Sequence, residues 1–389
     1  MTKKWSSRLT FFAFVVLMVG LGSNDSLRGI FSTIFQEHFS LTTTQLGLIV
    51  TASYIGNLVF LLVGGNLSTR FSKKRVLQVL ILIWMVALAL FAFTSNYTVL
   101  LIGMALALGS STLLNTTMNL ITPLLFATAP GFFVNFLFFT QEIGTSGSQY
   151  ILGSHADGFA FWQHTNLVLL ILGAVAFALL LFCNVPEEAA DPADTPAQKG
   201  GYDWRIIVPY VLVFGFYFIA EHGVMNWMVA YGVDGLGLPQ ASAAKYLSVF
   251  FGGMMIGRLC LSPLVDKLGA LKSLAAFGGV SCVLYLIGSL GGAVTMPVWA
   301  ISGLSFSILY PTLVMSIRLY FPAQQVSGAA GTILSIASLA DILFNVGFGK
   351  LVDMAGYAVS IRVLPLSALA FFIVFMLFTK FCKPTQKLK

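Results

Sequence analysis

A short basic loop at residues 65–75, GNLSTRFSKKR, carries the strongest architectural signal in this chain. It joins two apolar runs, residues 44–66 and 76–94, and four of its last six residues are cations. A second stretch, SPLVDKLGALK at residues 262–272, stands between apolar runs in the same way. In both, a small residue lets two helices approach closely, and the cations keep the loop on one face of a membrane. The match indicates an internal repeat, although cations that serve only as a topological anchor would give a similar loop.

The composition excludes a water-soluble domain. Of the 389 residues, 58% are hydrophobic and 9% are charged, whereas soluble domains have about a quarter charged residues. A disordered chain and a disulfide-stapled secreted domain are excluded on the same grounds. A helix needs roughly 20 apolar residues to cross a bilayer core of about 30 Å, so this length accommodates about twelve crossings. We predict an all-α polytopic membrane protein with twelve transmembrane helices.

The predicted spans fall into two groups of six around one polar stretch. They cover residues 9–34, 44–66, 76–94, 98–121, 131–153, 165–184, 206–230, 243–264, 272–290, 294–318, 325–349 and 359–381. We therefore predict two pseudo-symmetric bundles, an N-terminal six-helix bundle at 1–184 and a C-terminal six-helix bundle at 206–389, joined by a cytoplasmic linker at 185–205. The first run has no small-x-small cleavage site, so we expect it to be an uncleaved span.

The placement of lysine and arginine predicts the orientation. Sixteen of the 21 lysines and arginines lie on one face if both termini are cytoplasmic. The net charge of +7 would suggest nucleic acid in a soluble protein, but cations beside spans meet anionic lipid instead. We expect a monomeric, multi-pass protein of the cell (inner) membrane, with both termini cytoplasmic, lipid contacts and no nucleic-acid partner.

The sequence contains no signature of an enzyme. We find no P-loop, no HExxH zinc motif and no GxSxG nucleophile motif, and the four cysteines lack metal-ligand spacing. We therefore expect a protein without enzymatic activity, bound metal or cofactor.

The loop at residues 65–75 resembles the loop between the second and third spans of the major facilitator superfamily. That family has the pattern Gly-x-Leu-Ala-Asp-Arg-x-Gly-Arg-Lys, which this chain matches at Gly65, Leu67, Arg70, Lys73 and Lys74. Thr69 and Ser72 replace the family's aspartate and glycine, and the second copy keeps both as Asp266 and Gly269. The resemblance implies two six-helix bundles, transport activity and a gating role for Arg70 and Asp266.

Other stretches resemble the fucose-galactose-proton symporter branch of that family. They are FQEHFSLT at residues 35–42, Asn119 in the fourth span and Tyr310-Pro311-Thr312 in the tenth. Glu221, Trp227 and Tyr231 are similar to a Glu-x5-Trp-x3-Tyr arrangement of sugar porters. The resemblance implies proton-coupled sugar symport. Asn115 stands where the fucose porter has a membrane glutamate, so that proton site is not carried over.

Charged side chains at bilayer depth point to function, because each costs about 2.5–3.5 kcal/mol on insertion scales. Asp25 and Arg28 are three residues apart in the first span and can pair on one helix face. Arg28 would then either only neutralise Asp25 or keep it ready to couple to a proton. Glu142 in the fifth span shares a helix face with Gln149, and it would either take a proton or join a structural hydrogen-bond network.

Sugar hydroxyls bind to amides and acids, and an apolar sugar face stacks on an indole ring. We therefore predict these substrate-binding residues: Asn115, Asn119, Gln141, Glu221, Asn226 and Trp227. Hydrogen bonding between helices is the alternative for the amides, and a lipid-interface anchor is the alternative for Trp227. His222 points about 100° away from Glu221 on a helix, so we assign it no proton-relay role.

Arg258 in the eighth span and Asp341 in the eleventh have no obvious partner in their own helices. We predict that they pair across the two spans as a structural or gating ion pair. Residues 253–257, GMMIG, provide a close-packing face beside Arg258. The predicted proton-coupling residues are Asp25, Glu142 and Glu221.

Together these features predict a secondary active transporter that moves a small polar solute such as a sugar by alternating access with proton symport. The alternative is proton-driven efflux of drug-like or hydrophobic molecules, because an aromatic content of 14% can line an apolar cavity. A membrane receptor or scaffold without transport activity is a third alternative. The amides of the fourth and fifth spans favour the first function, since apolar cargo gains little from them.

Overall fold

The computed structural model describes residues 3–126, 130–183, 185–186 and 203–384. Within these ranges, the side chains of residues 3–5, 63–70, 130–132, 135, 262, 266, 323, 324 and 327 lie outside the description. The described residues contain helices and no strand, which confirms the predicted all-α fold. The chain divides into two compact units, Met1–Asp191 and Pro192–Lys389, which we call the N-unit and the C-unit. Residues 187–202 of the predicted linker lie outside the described residues.

The N-unit consists of long helices and one short one. They are α1 (Lys3–Ile30), α2 (Ser32–His38), α3 (Thr43–Arg70), α4 (Lys73–Phe93), α5 (Tyr97–Leu125), α6 (Pro130–Ile151) and α7 (Phe159–Phe182). The helix α1 packs on α6 and α7, and α5 packs on α3 and α4. Local capping sets where the helices begin: Asn96 Oδ1, for example, accepts a hydrogen bond from the Val99 backbone N–H at 3.2 Å at the start of α5.

The C-unit contains more short helical pieces. Its elements are α8 (Trp204–Ala230), a π-helix (Tyr231–Gly235), α9 (Gln240–Leu268), α10 (Ala270–Leu290), a 3-10 helix (Gly292–Val294), α11 (Met296–Ile301), α12 (Gly303–Phe306), α13 (Leu309–Ser316), a 3-10 helix (Ile317–Leu319), α14 (Ala323–Ala355), α15 (Tyr357–Ser360) and α16 (Val363–Phe381). The helix α8 packs on α14 and α16, and α9 packs on α11 and α12.

Eleven helical segments in the described part of the chain are long and apolar enough to cross a membrane. The helix α6 matches the remaining predicted span, residues 131–153. The predicted start of the sixth span, residue 165, is six residues late, because α7 begins at Phe159. The first turns of α7 contain the polar residues Gln163, His164 and Asn166. A prediction from apolar runs therefore starts the helix too late.

The predicted tenth span, residues 294–318, is interrupted rather than continuous. It consists of α11, α12 and α13, with breaks at residues 302 and 307–308. The Ser302 and Ser307 hydroxyls donate to the carbonyls of Trp299 and Leu304, at 2.5 and 2.7 Å. Serine hydroxyls that bond carbonyls one turn back compete with regular backbone bonding and bend helices. Hydropathy does not register this effect, because the segment remains apolar throughout.

Glycines permit a close helix crossing in the N-unit, between α1 and α6. A Cβ atom at Gly22 would overlap the Gln141 carbonyl, and one at Gly144 would overlap the Val19 carbonyl. The two backbones are therefore in direct contact, and this contact fixes the relative rotation of α1 and α6. The C-unit has an equivalent crossing where the predicted close-packing face at residues 253–257 lies against residues 303–307, which confirms that face.

Candidate functional site

A chain of amide side chains connects α5 to α6 in the N-unit. Asn119 Nδ2 donates to Asn115 Oδ1 at 2.6 Å, and Asn115 Nδ2 donates to Gln141 Oε1 at 2.6 Å. All three side chains are partly exposed. Thr116 does not join them, because its hydroxyl donates to the Thr112 carbonyl of its own helix at 2.9 Å. We call Asn115, Asn119 and Gln141 the amide ladder, and it unites three of the predicted substrate-binding residues.

Asp25 of α1 lies against the same side of α5. Its Oδ2 accepts a hydrogen bond from Ser111 Oγ at 3.1 Å, and its Oδ1 has no hydrogen-bond partner. Ser111 is one helical turn before Asn115, so Asp25 and the amide ladder share one face of α5. Arg28 lies within electrostatic reach of Asp25, and its guanidinium carbon is 5.6 Å from the centre of the Tyr54 ring. The structure thus places an acid, a cation and the ladder in one region of the N-unit.

Glu142 follows Gln141 on α6 and is partly exposed. Adjacent residues on a helix diverge by about 100°, so Glu142 points away from the direction in which Gln141 joins the ladder. Gln149, which the sequence placed on the Glu142 face, is fully buried, and neither its Oε1 nor its Nε2 has a hydrogen-bond partner. The polar face of α6 is therefore not uniformly open to water.

Glu221 of α8 lies among tyrosines in the C-unit and is 9% exposed. Tyr217 is one turn earlier on α8, and Tyr285 of α10 and Tyr310 of α13 lie within electrostatic reach of the Glu221 carboxyl. The rings of Tyr217 and Tyr310 stack with centroids 6.1 Å apart. Arg258 of α9 acts on the same two tyrosines. We call these five residues the tyrosine cluster, which combines an acid, a cation and aromatic rings.

Trp227 is fully buried and holds α8 to α14. Its Nε1 donates to Asn345 Oδ1 at 2.9 Å, and its ring lies 4.8 Å from the Phe348 ring, centroid to centroid. Asn226 beside it is only 2% exposed. A buried indole offers no open face to a sugar and does not reach a lipid interface. Neither predicted role of Trp227 matches its position in this structure.

Asp341 of α14 pairs with His222 of α8 and not with Arg258. His222 Nδ1 and Asp341 Oδ2 are 2.7 Å apart, and Asp341 Oδ1 has no hydrogen-bond partner. The predicted Arg258–Asp341 pair is therefore wrong, because Asp341 faces α8 while Arg258 faces the tyrosine cluster. His222 points away from Glu221, as its position on the helix requires, and finds its partner on another helix.

The two predicted gating residues of the basic loops are Arg70 and Asp266, and their side chains lie outside the described residues. The first loop is anchored at Lys74, whose Nζ donates to the Leu181 and Cys183 carbonyls at 3.0 and 2.7 Å, at the end of α7. Among the residues that the structure describes, no group of three or more His, Cys, Asp or Glu side chains could hold a metal ion.

Sequence reasoning missed several residues that contact the predicted ones. They are Ser111, Tyr217, Tyr285 and Asn345, together with His222 as a partner of Asp341. Three of them lie one helical turn from a residue that was singled out: Ser111 from Asn115, Tyr217 from Glu221 and Asn345 from Asp341. A search for polar side chains at a spacing of four would have found these three. Tyr285 and His222 meet their partners across helices, and no local spacing predicts such contacts.

Known proteins resemble this chain over most of its length. The L-fucose-proton symporter of Escherichia coli is 24% identical over 406 aligned positions, 93% of this chain and 90% of that protein. A glucose/galactose transporter of Brucella abortus is 27% identical over 342 residues, 82% of this chain and 81% of that protein. The crystal structure of a D-xylose-proton symporter matches with a TM-score of 0.78 at 16% identity, over 99% of both chains, and shows the shared fold.

The family comparison agrees with the helical architecture and the buried polar groups at bilayer depth. A family profile described as Major Facilitator Superfamily matches residues 10–338. The relatives are transporters and not enzymes. The chain therefore belongs to the Major Facilitator Superfamily of membrane transporters.

Proposed function

We propose that this protein is a secondary active transporter that moves a sugar across the cell membrane by alternating access, together with protons. The observation that carries the proposal is the amide ladder, which presents neutral hydrogen-bonding groups next to Asp25 at bilayer depth. The E. coli relative is named for L-fucose and proton symport and the Brucella relative for glucose and galactose, which supports the same class of cargo.

The chemistry of the amide ladder suits a solute with many hydroxyl groups. Each amide donates and accepts hydrogen bonds, as each hydroxyl does, and it brings no net charge into the membrane. Asn119 Oδ1 is buried and has no hydrogen-bond partner, and such an atom costs about 1–3 kcal/mol. A sugar hydroxyl that donates to this oxygen would remove that cost.

The tyrosine cluster of the C-unit is only partly open: Tyr310 and Arg258 are partly exposed, whereas the rings of Tyr217 and Tyr285 are fully buried. The Tyr310 ring can stack on the apolar face of a pyranose and its hydroxyl can bind the edge, with Tyr217 and Tyr285 packed behind it. Glu221 and Arg258 add charged hydrogen-bond partners among the rings. We propose that Glu221 contacts solute from this cluster, whereas the burial of Asn226 and Trp227 gives them supporting positions.

Proton coupling requires a carboxyl group that gains and loses a proton during the cycle. Asp25 has the clearest environment for this, because Arg28 lies within electrostatic reach of its carboxyl group and Oδ1 has no hydrogen-bond partner. Glu142 and Glu221 are the other two candidates, since both are carboxyl groups in the middle of long helices, α6 and α8. We propose that at least one of the three carries the proton that accompanies the solute.

Efflux of hydrophobic molecules is the second candidate, and one observation favours it. The N-unit contains an apolar crevice of about 760 Å³ between α3, α4 and α7, lined by residues such as Val59, Phe60, Leu82 and Phe177. None of the residues of the amide ladder, and neither Asp25 nor Ser111, lines this crevice. Exporting apolar cargo through it would leave those polar groups without a task, so we favour sugar transport.

The deciding experiment is uptake into proteoliposomes that contain only this protein. We expect labelled L-fucose, D-galactose or D-glucose to accumulate above the external concentration when an inward proton gradient is imposed, and to equilibrate when an ionophore removes the gradient. Exchange of labelled for unlabelled sugar should occur without any gradient. The proposal fails if none of the three sugars exchanges, and proton-driven movement of a lipophilic cation in the same vesicles would support efflux instead.

A further inference from the structure

The helices α8 and α14 bring an imidazole and a carboxylate together in the C-unit. His222 Nδ1 lies 2.7 Å from Asp341 Oδ2. The Asp341 side chain is 2% exposed, whereas the His222 side chain is 25% exposed. The pair is therefore open at the imidazole and closed at the carboxylate. Neither residue belongs to the amide ladder or the tyrosine cluster.

We propose that His222 and Asp341 together form a proton-binding site that takes up and releases one proton in the transport cycle. The inference rests on the proposed function, because it names a coupling site beyond Asp25, Glu142 and Glu221. The ligand is the proton itself, shared between Nδ1 and Oδ2. The partly exposed imidazole is the side from which the proton enters and leaves.

Charge balance explains why this pair suits a single proton. With one proton between them, the pair is neutral overall, either as imidazolium and carboxylate or as imidazole and carboxylic acid. Without that proton, the pair carries a charge of −1 on a carboxylate that is almost wholly buried. An uncompensated charge at bilayer depth costs several kcal/mol. The loaded pair is thus stable inside the protein, and release requires a conformation in which water or a cation reaches Asp341.

The second oxygen of Asp341 strengthens this assignment. Oδ1 is buried and has no hydrogen-bond partner. Most buried side-chain polar atoms have a hydrogen-bond partner. An acceptor position left open on a buried acid fits a group that is neutralised by a proton rather than by a fixed network.

The other charged groups of the C-unit lie on different faces or further along the helices. Phe218 lies between His222 and the tyrosine cluster, with its ring centre 5.3 Å from the imidazole and 6.2 Å from the Tyr310 ring. The groups of that cluster that could act on the pair are Tyr217, Glu221, Arg258, Tyr285 and Tyr310.

On α14 the next charges are Lys350 and Asp353, about 13 and 18 Å along a helix from Asp341. The helix α16 contains Lys380 in its last turn, and Arg362 immediately precedes it. In α9, Lys245 and Lys267 lie near the two ends of the helix.

The same two helices contain a matched contact that cannot titrate. One turn beyond Asp341, Asn345 accepts from Trp227 Nε1 at 2.9 Å and donates from Nδ2 to the Asp341 carbonyl at 2.8 Å. The variant Asn345→Leu removes the Trp227 bond between α8 and α14, and a bond within α14, without replacing a titratable group. It separates the effect of loosening the two helices from the effect of removing a proton site.

The first test needs no sugar. Infrared difference spectra of the reconstituted protein are recorded between about pD 5 and about pD 8, the range in which imidazole titrates. We expect a carboxyl signal that is absent in Asp341→Asn, shifted in its midpoint in His222→Gln and unchanged in Asn345→Leu. Identical spectra for the parent protein and Asp341→Asn would overturn the proton site.

The second test measures transport in the same four proteins. Asp341→Asn should lose accumulation of labelled L-fucose or D-galactose under a proton gradient and fall to equal concentrations on both sides, while exchange at equilibrium persists. Asn345→Leu should still accumulate sugar. Full accumulation by Asp341→Asn would overturn the coupling role. Absence of exchange in the parent protein would instead refute sugar transport, and the infrared titration would still decide whether the pair binds a proton.

Discussion

The N-unit and the C-unit place polar groups at bilayer depth in different ways. The amide ladder of the N-unit is neutral, partly exposed and built on unbroken helices, and Asp25 is the acid beside it. The C-unit contains an ionisable pair, the partly exposed His222 and the buried Asp341, and surrounds Glu221 with tyrosines on helices that include the interrupted tenth span. Neutral amides need few partners, whereas charges need partners from other helices. The contrast between neutral amides and a paired carboxylate gives each unit its own kind of test.

The largest effect should come from the helix crossing that supports the N-unit. Gly144→Ala places a methyl group where the Val19 carbonyl already lies, so α1 and α6 must separate. We expect a loss of about 3 kcal/mol or more, at the upper end of overpacking, and little folded protein. Thermal unfolding in detergent measures the difference. Gly147→Ala is the control on the same helix, because nothing lies within 4 Å of its new methyl group, and it should be stable.

Removing the N-unit acid should have the next largest effect, on coupling and not on folding. Asp25→Asn keeps an acceptor for Ser111 but cannot exchange a proton, so accumulation of sugar should be lost while equilibrium exchange remains. Parallel uptake and exchange measurements in proteoliposomes provide the test. Ser111→Ala is the control that removes the hydrogen bond and keeps the acid. Full accumulation in Asp25→Asn, Glu142→Gln and Glu221→Gln alike would reject all three as coupling residues.

A moderate effect should follow when the ladder is cut at its centre. Asn115→Ala removes the acceptor for Asn119 and the donor to Gln141, and two such bonds are together equivalent to about 1–3 kcal/mol. We expect sugar affinity to fall by about tenfold, which corresponds to about 1.4 kcal/mol. Thr116→Ala is the adjacent control, since Thr116 bonds only its own helix in this structure. Equal affinity in both variants would show that sugar does not contact the ladder.

These sites show which features a sequence encodes and which it does not. Span number and the internal repeat are encoded along the chain, because bilayer thickness sets the length of every apolar run. The amides at Asn115 and Gln141 were predictable as polar residues in adjacent spans. Their hydrogen bond was not, because it depends on how far α5 and α6 rotate, and the glycine contact between α1 and α6 fixes α6. The partner of Asp341 was predicted wrongly for the same reason, because its carboxylate turns towards His222.

The smallest effect on transport should come from Trp227, and it sharpens the contrast between the two units. Sequence reasoning placed a sugar on this indole, yet the ring is fully buried and its Nε1 bonds Asn345 at 2.9 Å. Trp227→Phe keeps an aromatic ring in the packing but leaves Asn345 Oδ1 without its donor. We expect a stability loss of about 1–3 kcal/mol, measured by thermal unfolding, and a sugar affinity within about twofold of the parent.

If Trp227→Phe lowered the affinity for sugar without lowering stability, Trp227 would not be a purely structural residue. This result would mean that Trp227 leaves its buried position during the cycle and meets the solute, which requires α8 and α14 to separate. The His222–Asp341 pair joins the same two helices, so such a separation would also open the buried carboxylate to water. Substrate binding and proton release would then share one motion of the C-unit, and Asp341→Asn would change sugar affinity as well as accumulation. If Trp227→Phe alters only stability, α8 and α14 stay together while the solute binds, and water or a cation must reach Asp341 in a separate step of the cycle.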